Sequence, residues 1–184
     1  IGYQAAYRTA NLNNQHNTFV GYNAGSGDWT STLSSKNTAI GSNAMIGAMN
    51  SSLQNSAMGY AALSALTTGN NNIGIGVTAG DVITTGGSNT IIGSESDPSA
   101  NSATNQTVVG YAVTGVADNS VTLGNANATA VYMNQDGGAT VHAGKLNLTN
   151  NQITNSSGNI QINANSGLVT TAAFQSTSAN LSFF

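Results

Sequence analysis

A five-residue phrase that returns along the first two-thirds of the chain limits the folds open to it more than any other feature. The phrase reads Asn, then Thr or Ser, any residue, an apolar residue and Gly, with substitutions in some copies. Its copies are NTFVG (17–21), NTAIG (37–41), NSAMG (55–59), NIGIG (72–76), NTIIG (89–93), QTVVG (106–110) and SVTLG (120–124). They begin 14 to 20 residues apart. This spacing is too short for a repeated helix pair and predicts one turn of a β-solenoid with a variable loop.

Stacked turns would place equivalent residues in columns. The residue before each Gly is apolar in every copy, and we expect this column to form the interior of the roll. It contains Val20, Ile40, Met58, Ile75, Ile92, Val109 and Leu123. A column of small residues lies three positions after each Gly and is expected to fit a narrow interior. It contains Ala5, Ala24, Ala44, Ala62, Ala79, Ser96 and Val113.

The opposite face of each strand is also too apolar to be simply solvated. Its column contains Phe19, Ala39, Ala57, Gly74, Ile91 and Val108. A strand that is apolar on both faces is buried on both, whereas one slender roll covers only one of them. We therefore expect identical chains to pack side by side around an axis. The Asn that opens each phrase should stack its amide along the roll and satisfy backbone groups of the turns.

The phrase divides the chain into two segments. Residues 1–128 carry the repeats and are predicted to form the β-roll. Residues 129–184 contain short alternating segments separated by Gly and Asn, which predict a second β-rich segment, an interwoven neck or stalk. Because the sequence begins with Ile1 and shows no leader, we expect a fragment or a processed product.

Composition excludes several classes of protein. Only 3 basic and 6 acidic residues occur among the 184, so neither a nucleic-acid-binding surface nor an acidic tail is expected. The chain has no Cys, which excludes disulfides and thiol chemistry, and no apolar run long enough to insert into a membrane. The low charge also predicts a stability that depends little on pH or salt.

The residues that could support catalysis are too scattered to form a site. His16 and His142 lie far apart, without a recognisable Ser nucleophile, and the acidic residues are single apart from Glu95 and Asp97. We therefore predict no enzyme, no catalytic residues, no metal and no cofactor. A calcium site on residues 94–97 would lack the pattern of a known loop, and a solvated loop is the simpler interpretation.

Two loops carry the candidate ligand-binding residues. The loop at residues 25–36 contains the single Trp beside an acid, Asp28 and Trp29, a pair able to stack on a sugar ring and accept its hydroxyls. The alternative is that Trp29 folds back over the roll. The loop at residues 94–105 contributes Glu95 and Asp97. Four tyrosines follow repeat glycines and predict a packing ladder rather than a sugar-binding stripe; they are Tyr3, Tyr22, Tyr60 and Tyr111.

With the copies NTAIG, NSAMGYAAL and NSVTLG, the chain resembles the YadA-like head repeats of trimeric autotransporter adhesins and the similar repeats of phage tail fibres and other trimeric bacterial surface fibres. The resemblance covers residues 1 to about 128. It implies a left-handed parallel β-roll, a tight homotrimer, and a non-enzymatic role in attachment to a cell-surface glycan or protein receptor. It also implies an extracellular location, on a bacterial surface or a virion tail fibre.

Two other functions compete with attachment. A column of hydroxyl residues could make a monomeric solenoid that binds ice; it contains Thr18, Thr38, Ser56, Thr90 and Thr107. These residues share strand parity with the column assigned to the interior, so we expect them to point inward, against ice binding. A polysaccharide-cleaving fibre enzyme would need paired carboxylates in suitable positions, which the sequence does not show.

Overall fold

The computed structural model of the chain describes residues 1–6, 14–29 and 33–132. Within these ranges the fold is all-β, without a helix. The chain separates into two units, Ile1–Gly137 and Gly138–Phe184, and every described residue belongs to the first. Most of the predicted neck, residues 133–184, therefore lies outside the described residues. The seven strands are β1 (Thr18–Val20), β2 (Thr38–Ile40), β3 (Ser56–Met58), β4 (Ile73–Ile75), β5 (Thr90–Ile92), β6 (Gln106–Val109) and β7 (Ser120–Leu123).

The strands form one parallel sheet in which their order follows the chain. Equivalent residues of the repeat phrase are partners across the sheet: Thr18 lies beside Thr38, and Val20 beside Ile40. The same register continues to the last pair, in which Val109 lies beside Leu123. Each turn of the chain thus returns one strand further along the sheet. This is a parallel β-solenoid, as the spacing of the phrase predicted.

Left-handed backbone conformations form the corners of every rung. One set lies two residues after the repeat Gly, with φ between 49° and 60°; it contains Asn23, Asn43, Ala61, Thr78, Glu95 and Ala112. A second set lies just before the phrase, with φ between 54° and 61°; it contains His16, Lys36, Gln54, Asn71, Ser88 and Asn105. Such φ values are strained for residues other than Gly, Asn or Asp. Hydrogen bonds between rungs hold them in place, such as that from the Asn43 N–H to the Tyr22 carbonyl (2.8 Å).

The repeat glycines allow the rungs to approach each other closely. Gly41 and Gly59 have φ of 137° and 144°, a region that side chains disfavour. A Cβ at either position would also lie within 3 Å of the backbone of the next repeat Gly along the sheet. The Gly of the phrase is therefore required both by the local conformation and by the stacking of rungs.

The interior of the roll is lined by the middle residue of each strand, which corrects the sequence-based assignment. Ala39, Ile91 and Val108 are fully buried, whereas the column predicted to be interior faces outward. That outward column contains Val20, Ile40, Met58, Ile75, Ile92, Val109 and Leu123. Side-chain size does not assign the two faces, since the interior column holds Ile91 and Val108 as well as Ala39; the corners of each rung turn the middle position of the strand inward. The small column at Ala24, Ala44, Ala62 and Ala79 is fully buried, as expected.

A ladder of buried side-chain amides runs from rung to rung at the starts of the strands, as predicted for the Asn column. The Oδ1 of Asn37 accepts a hydrogen bond from the Asn55 N–H (3.0 Å), and the Oδ1 of Asn55 accepts one from the Asn72 N–H (2.9 Å). The Nδ2 of Asn55 donates to the Gly69 carbonyl (2.9 Å). Gln106 continues the ladder, its N–H donating to the Oδ1 of Asn89 (3.0 Å). Each amide thus satisfies backbone groups that the turns leave unpaired.

Candidate functional site

The outside of the parallel sheet is an exposed apolar surface of the described residues. We define the outer strand face as the first and last positions of β1 to β5 and their partners in β6 and β7. Its apolar column is between 36% and 51% exposed at Val20, Ile40, Met58, Ile75, Ile92 and Leu123. None of the seven strands contains a charged residue. The solenoid therefore presents a continuous, uncharged and largely apolar strip.

The hydroxyl column lies on the same face. Thr18 and Ser56 are exposed, and Thr38 and Thr90 are half-buried. These residues share strand parity with the apolar column, as expected, but both columns point outward. The strand parity that these residues share with the apolar column therefore does not argue against an exposed threonine surface.

The tyrosines that follow the repeat glycines are exposed rather than packed in a continuous ladder. The rings of Tyr3 and Tyr22 stack, with centroids 5.7 Å apart and planes inclined by 11°. The next equivalent position is Ser42, which interrupts the aromatic column before Tyr60. The predicted ladder is thus limited to one pair in the described residues. The Tyr111 hydroxyl donates a hydrogen bond to the carboxylate of Glu95 (3.0 Å), which raises the pKa of that tyrosine.

Trp29 is not available as an exposed surface for a sugar ring. Its side chain is fully buried and packs edge-on against Phe19, with ring centroids 5.3 Å apart and planes inclined by 82°. Asp28, its neighbour, is exposed. The Trp29 ring folds back into the roll against Phe19, and Gly25 leaves room for the Phe19 ring: a Cβ at Gly25 would lie within 3 Å of that ring. The predicted stacking of a sugar on the outer surface of Trp29 is therefore corrected.

Glu95 and Asp97, the second predicted ligand-binding pair, lie in two different environments. Glu95 is exposed at a left-handed corner (φ 59°), whereas Asp97 is half-buried and its Oδ1 has no hydrogen-bond partner. Burial raises the pKa of Asp97 to about 6, the negative charge of Asp81 adds to this rise, and a backbone hydrogen bond from Val82 opposes it. Burial also raises the pKa of Asp81.

The two predicted ligand-binding pairs do not form one site. Strands β2 to β5 lie between Trp29 and Asp97 in the chain and in the sheet. In the described part of the chain, no three His, Cys, Asp or Glu residues are grouped closely enough to hold a metal ion. His142 lies outside the described residues.

A cavity lies at the first complete rung, under the residues that open the chain. Its volume is about 230 Å³, and its described lining consists of Ala6, Asn14, His16, Asn17, Phe19 and Trp29. Two lining residues carry buried N–H groups without a partner, the Nδ2 of Asn14 and the Nε1 of Trp29. An unpaired buried donor costs about 1–3 kcal/mol, so both residues carry a local cost in stability.

Sequence reasoning identified Trp29 but not Asn14, His16 or Phe19 as parts of one site. The signal was present in the repeat alignment. Phe19 stands where the next copies have Ala39, Ala57 and Gly74, so the first rung has a different cross-section from the others.

No helix among the described residues is long and apolar enough to span a membrane. Comparison with models of protein families, with curated proteins and with solved structures finds no match to this chain.

Proposed function

We propose that this chain is a segment of a non-enzymatic, trimeric extracellular fibre that attaches to a glycan or protein receptor on a cell surface. The motifs that resemble YadA-like head repeats support this proposal, together with the observed parallel solenoid. In this proposal the roll is left-handed, as the resemblance implies, and residues 129–184 form an interwoven neck. The fibre belongs to a bacterial surface or a virion tail.

The outer strand face is the observation that carries the proposal. Parallel sheets are normally covered on both faces, and large exposed apolar strips mark surfaces that bind another protein. Each square ångström of apolar surface removed from water contributes about 25 cal/mol. A strip of six exposed aliphatic side chains, free of charged residues, therefore favours association with equivalent strips around an axis.

Such an assembly would work as a stiff support for weak binding sites. Seven strands at a spacing of about 4.8 Å give a rod segment of roughly 29 Å between the first strand and the last. Three chains would display three copies of every loop at the same height along the rod. Multivalent contact converts weak individual affinities into firm attachment.

Sedimentation equilibrium tests the assembly directly. We expect a mass near three times 18.4 kDa, and we expect Ile75→Lys to shift it towards the monomer because a lysine would be buried at the axis. Ile46→Lys is the matched control, since Ile46 is as exposed (38%) as Ile75 (39%) but lies outside the strands. A folded wild-type monomer would contradict the proposal, and glycan and cell-binding screens follow only if the trimer is found.

A monomeric solenoid that binds ice is the second candidate. The observation that favours it is the outward column of Thr18, Thr38, Ser56, Thr90 and Thr107, in register on a parallel sheet. The exposed Tyr22 and Tyr60, next to the apolar column in the chain, make the surface less regular and favour association of chains instead. A thermal hysteresis assay separates the two functions: freezing-point depression by a monomer would favour ice binding.

A further inference from the structure

The corner that follows the strands carries a column of exposed tyrosines with one gap. Directly after each repeat Gly, successive rungs hold Tyr3, Tyr22, Ser42, Tyr60 and Val77. We propose that the space over Ser42, between Tyr22 and Tyr60, binds one uncharged sugar unit that stacks on the Tyr22 ring. This space is called the ring gap below. The choice of a sugar rests on the proposed role in attachment, whereas every residue of the ring gap belongs to one chain.

Backbone hydrogen bonds keep these corners in register from rung to rung. The Tyr22 carbonyl accepts a hydrogen bond from the Asn43 N–H (2.8 Å). On the next rung, the Ser42 carbonyl accepts one from the Ala61 N–H (2.9 Å). Strands of a sheet lie about 4.8 Å apart, so Tyr22 and Tyr60, two rungs apart, are separated by about 10 Å along the roll. The rung between them contributes only the short side chain of Ser42 to the column.

The stacked pair of Tyr3 and Tyr22 shows how a ring is held at this corner. Their centroids are 5.7 Å apart and their planes are inclined by 11°. Aromatic rings attract each other at centroid separations of about 4.5–7 Å. Tyr3, on the preceding rung, covers one face of the Tyr22 ring, so the opposite face is directed towards the rung of Ser42. A third ring over Ser42 would continue the stack, and the chain supplies none there.

The ring gap is open to solvent. Tyr22 is 49% exposed and Tyr60 is 53% exposed, so neither ring is covered by the rest of the chain. Ser42 and Asn43, on the rung between them, are half-buried. Ser42, Asn43 and Tyr60 all belong to the continuous described stretch of residues 33–132. A ligand can therefore reach the free face of Tyr22 without a rearrangement of the roll.

Polar groups beside the ring gap complete the ligand chemistry. The Ser42 hydroxyl can donate and accept hydrogen bonds. The Oδ1 of Asn43 accepts from the Nδ2 of Asn23 (3.3 Å), which leaves the Nδ2 of Asn43 to donate to a ligand. On the four rungs from Tyr3 to Tyr60, neither the position after the repeat Gly nor the next one is charged. Sugars combine hydroxyl groups with an apolar C–H face, and such ligands bind where aromatic rings lie next to a few polar groups.

The ring gap lies at the rim of the outer strand face rather than on it. Val20, in the apolar column of that face, precedes Tyr22 by two residues, with the corner residue Gly21 between them. In the proposed trimer, three copies of the ring gap would lie at one height of the fibre. A glycan with repeated units would engage several of them together, so a weak single site is sufficient for attachment.

Saturation-transfer difference NMR measures the weak binding expected of so small a ligand, with a roughly millimolar Kd. The probes are methyl β-galactoside and N-acetylglucosamine, each with a C–H face on its ring. We expect a saturable signal that is strongest for the protons of that face, because they lie on Tyr22. Sorbitol, which has hydroxyl groups but no ring, is the control ligand and should give no saturable signal.

Filling the ring gap tests its position. Ser42→Tyr places a third ring in the column, and we expect at least a tenfold weaker affinity for both sugars in a protein that stays folded. Ser94→Tyr is the matched control, because Ser94 occupies the same place after a repeat Gly, three rungs further along the roll. It should leave the Kd unchanged.

Two changes at Tyr22 test the stacking. Tyr22→Ala removes the ring and should abolish the saturable signal. Tyr22→Phe keeps the ring face without the hydroxyl, and it should bind within about threefold of the wild-type affinity.

Absence of a saturable signal from protein that circular dichroism shows to be folded would overturn the site. So would binding that Ser42→Tyr or Tyr22→Ala leaves unchanged, or that Ser94→Tyr weakens equally. Tighter binding of N-acetyltyrosinamide than of either sugar would assign the Tyr22 face to an aromatic side chain of a protein receptor instead. Sedimentation equilibrium on the same samples keeps the two proposals apart: a trimer without sugar binding removes the ring gap alone, and a monomer that binds sugar removes the trimer alone.

Discussion

At the scale of single residues, the repeat glycines and the half-buried Asp97 carry the strictest requirements. From Gly21 to Gly93, a Cβ at each repeat Gly would lie within 3 Å of the backbone of the adjacent rung. Asp97 shows the opposite situation, a charged residue in a position where burial penalises its charge. Each leads to a measurable consequence for stability.

Gly59→Ala should destabilise the fold severely, by more than about 3 kcal/mol, because Gly59 has a φ of 144° and its added Cβ would lie within 3 Å of the Gly76 backbone. Gly87→Ala is the control: the nearest atom to its Cβ would be 3.3 Å away, and its φ is not positive. We expect the control to change stability by less than about 1 kcal/mol. Urea unfolding followed by circular dichroism measures both, and equal losses would count against the close approach of the rungs.

Asp97 should make the protein less stable as the pH rises. Its pKa is raised from 3.8 to about 6 in the folded state, so folding favours the protonated form. The contribution is fully favourable below about pH 4 and is lost as the pH passes 6. After allowance for solvent near a half-buried group, the loss amounts to about 1–2 kcal/mol.

Asp97→Asn should remove that dependence and raise stability at pH 7. Melting temperatures of the two proteins between pH 4 and pH 8 provide the measurement, and the difference between them reports Asp97 together with its charge coupling to Asp81. A difference that stays constant over this range would show that Asp97 does not titrate as described. The composition predicts a stability that depends little on pH, and Asp97 is expected to be an exception.

At the scale of the repeated element, each rung is completed by its neighbours. Strands of three or four residues are too short to be stable alone, and every one is paired along its whole length. The Asn ladder performs the same task for the turns, because each amide bonds to backbone groups of adjacent rungs. A substitution that disrupts one rung should therefore also destabilise the rung next to it.

Asn55→Leu should cost about 1–3 kcal/mol, because it leaves the buried Asn72 N–H without a partner; the Gly69 carbonyl loses the bond from Asn55 and keeps the one from the Ser52 hydroxyl (2.7 Å). Asn101→Leu, at an exposed position without a left-handed φ, serves as the comparison and should change stability by less than about 1 kcal/mol. Denaturant midpoints report the two effects. If both variants lost the same amount, the burial of the ladder would not be its source of stability.

At the scale of the whole molecule, charge contributes little and apolar contact contributes most. The chain carries 3 basic and 6 acidic residues, and none of those in the described ranges lies in a strand. Raising sodium chloride from about 0.05 to 0.5 M, which shortens the screening length several-fold, should shift the melting temperature by less than about 3 °C. A larger change would mean that ion pairs hold the fold, contrary to the composition.

The sequence by itself determined the repeat, the parallel register and the Asn ladder, because each depends on the identity of residues that recur at a regular spacing. Only the tertiary structure decided which strand face is interior, since both faces are apolar in the sequence and the corners that close each rung turn one of them inward. Val20 and Ile40 thus lie outside, and Ala39 and Ile91 lie inside. The same holds for Trp29: its burial depends on packing against Phe19, which precedes it by one side of the rung and is adjacent in the fold.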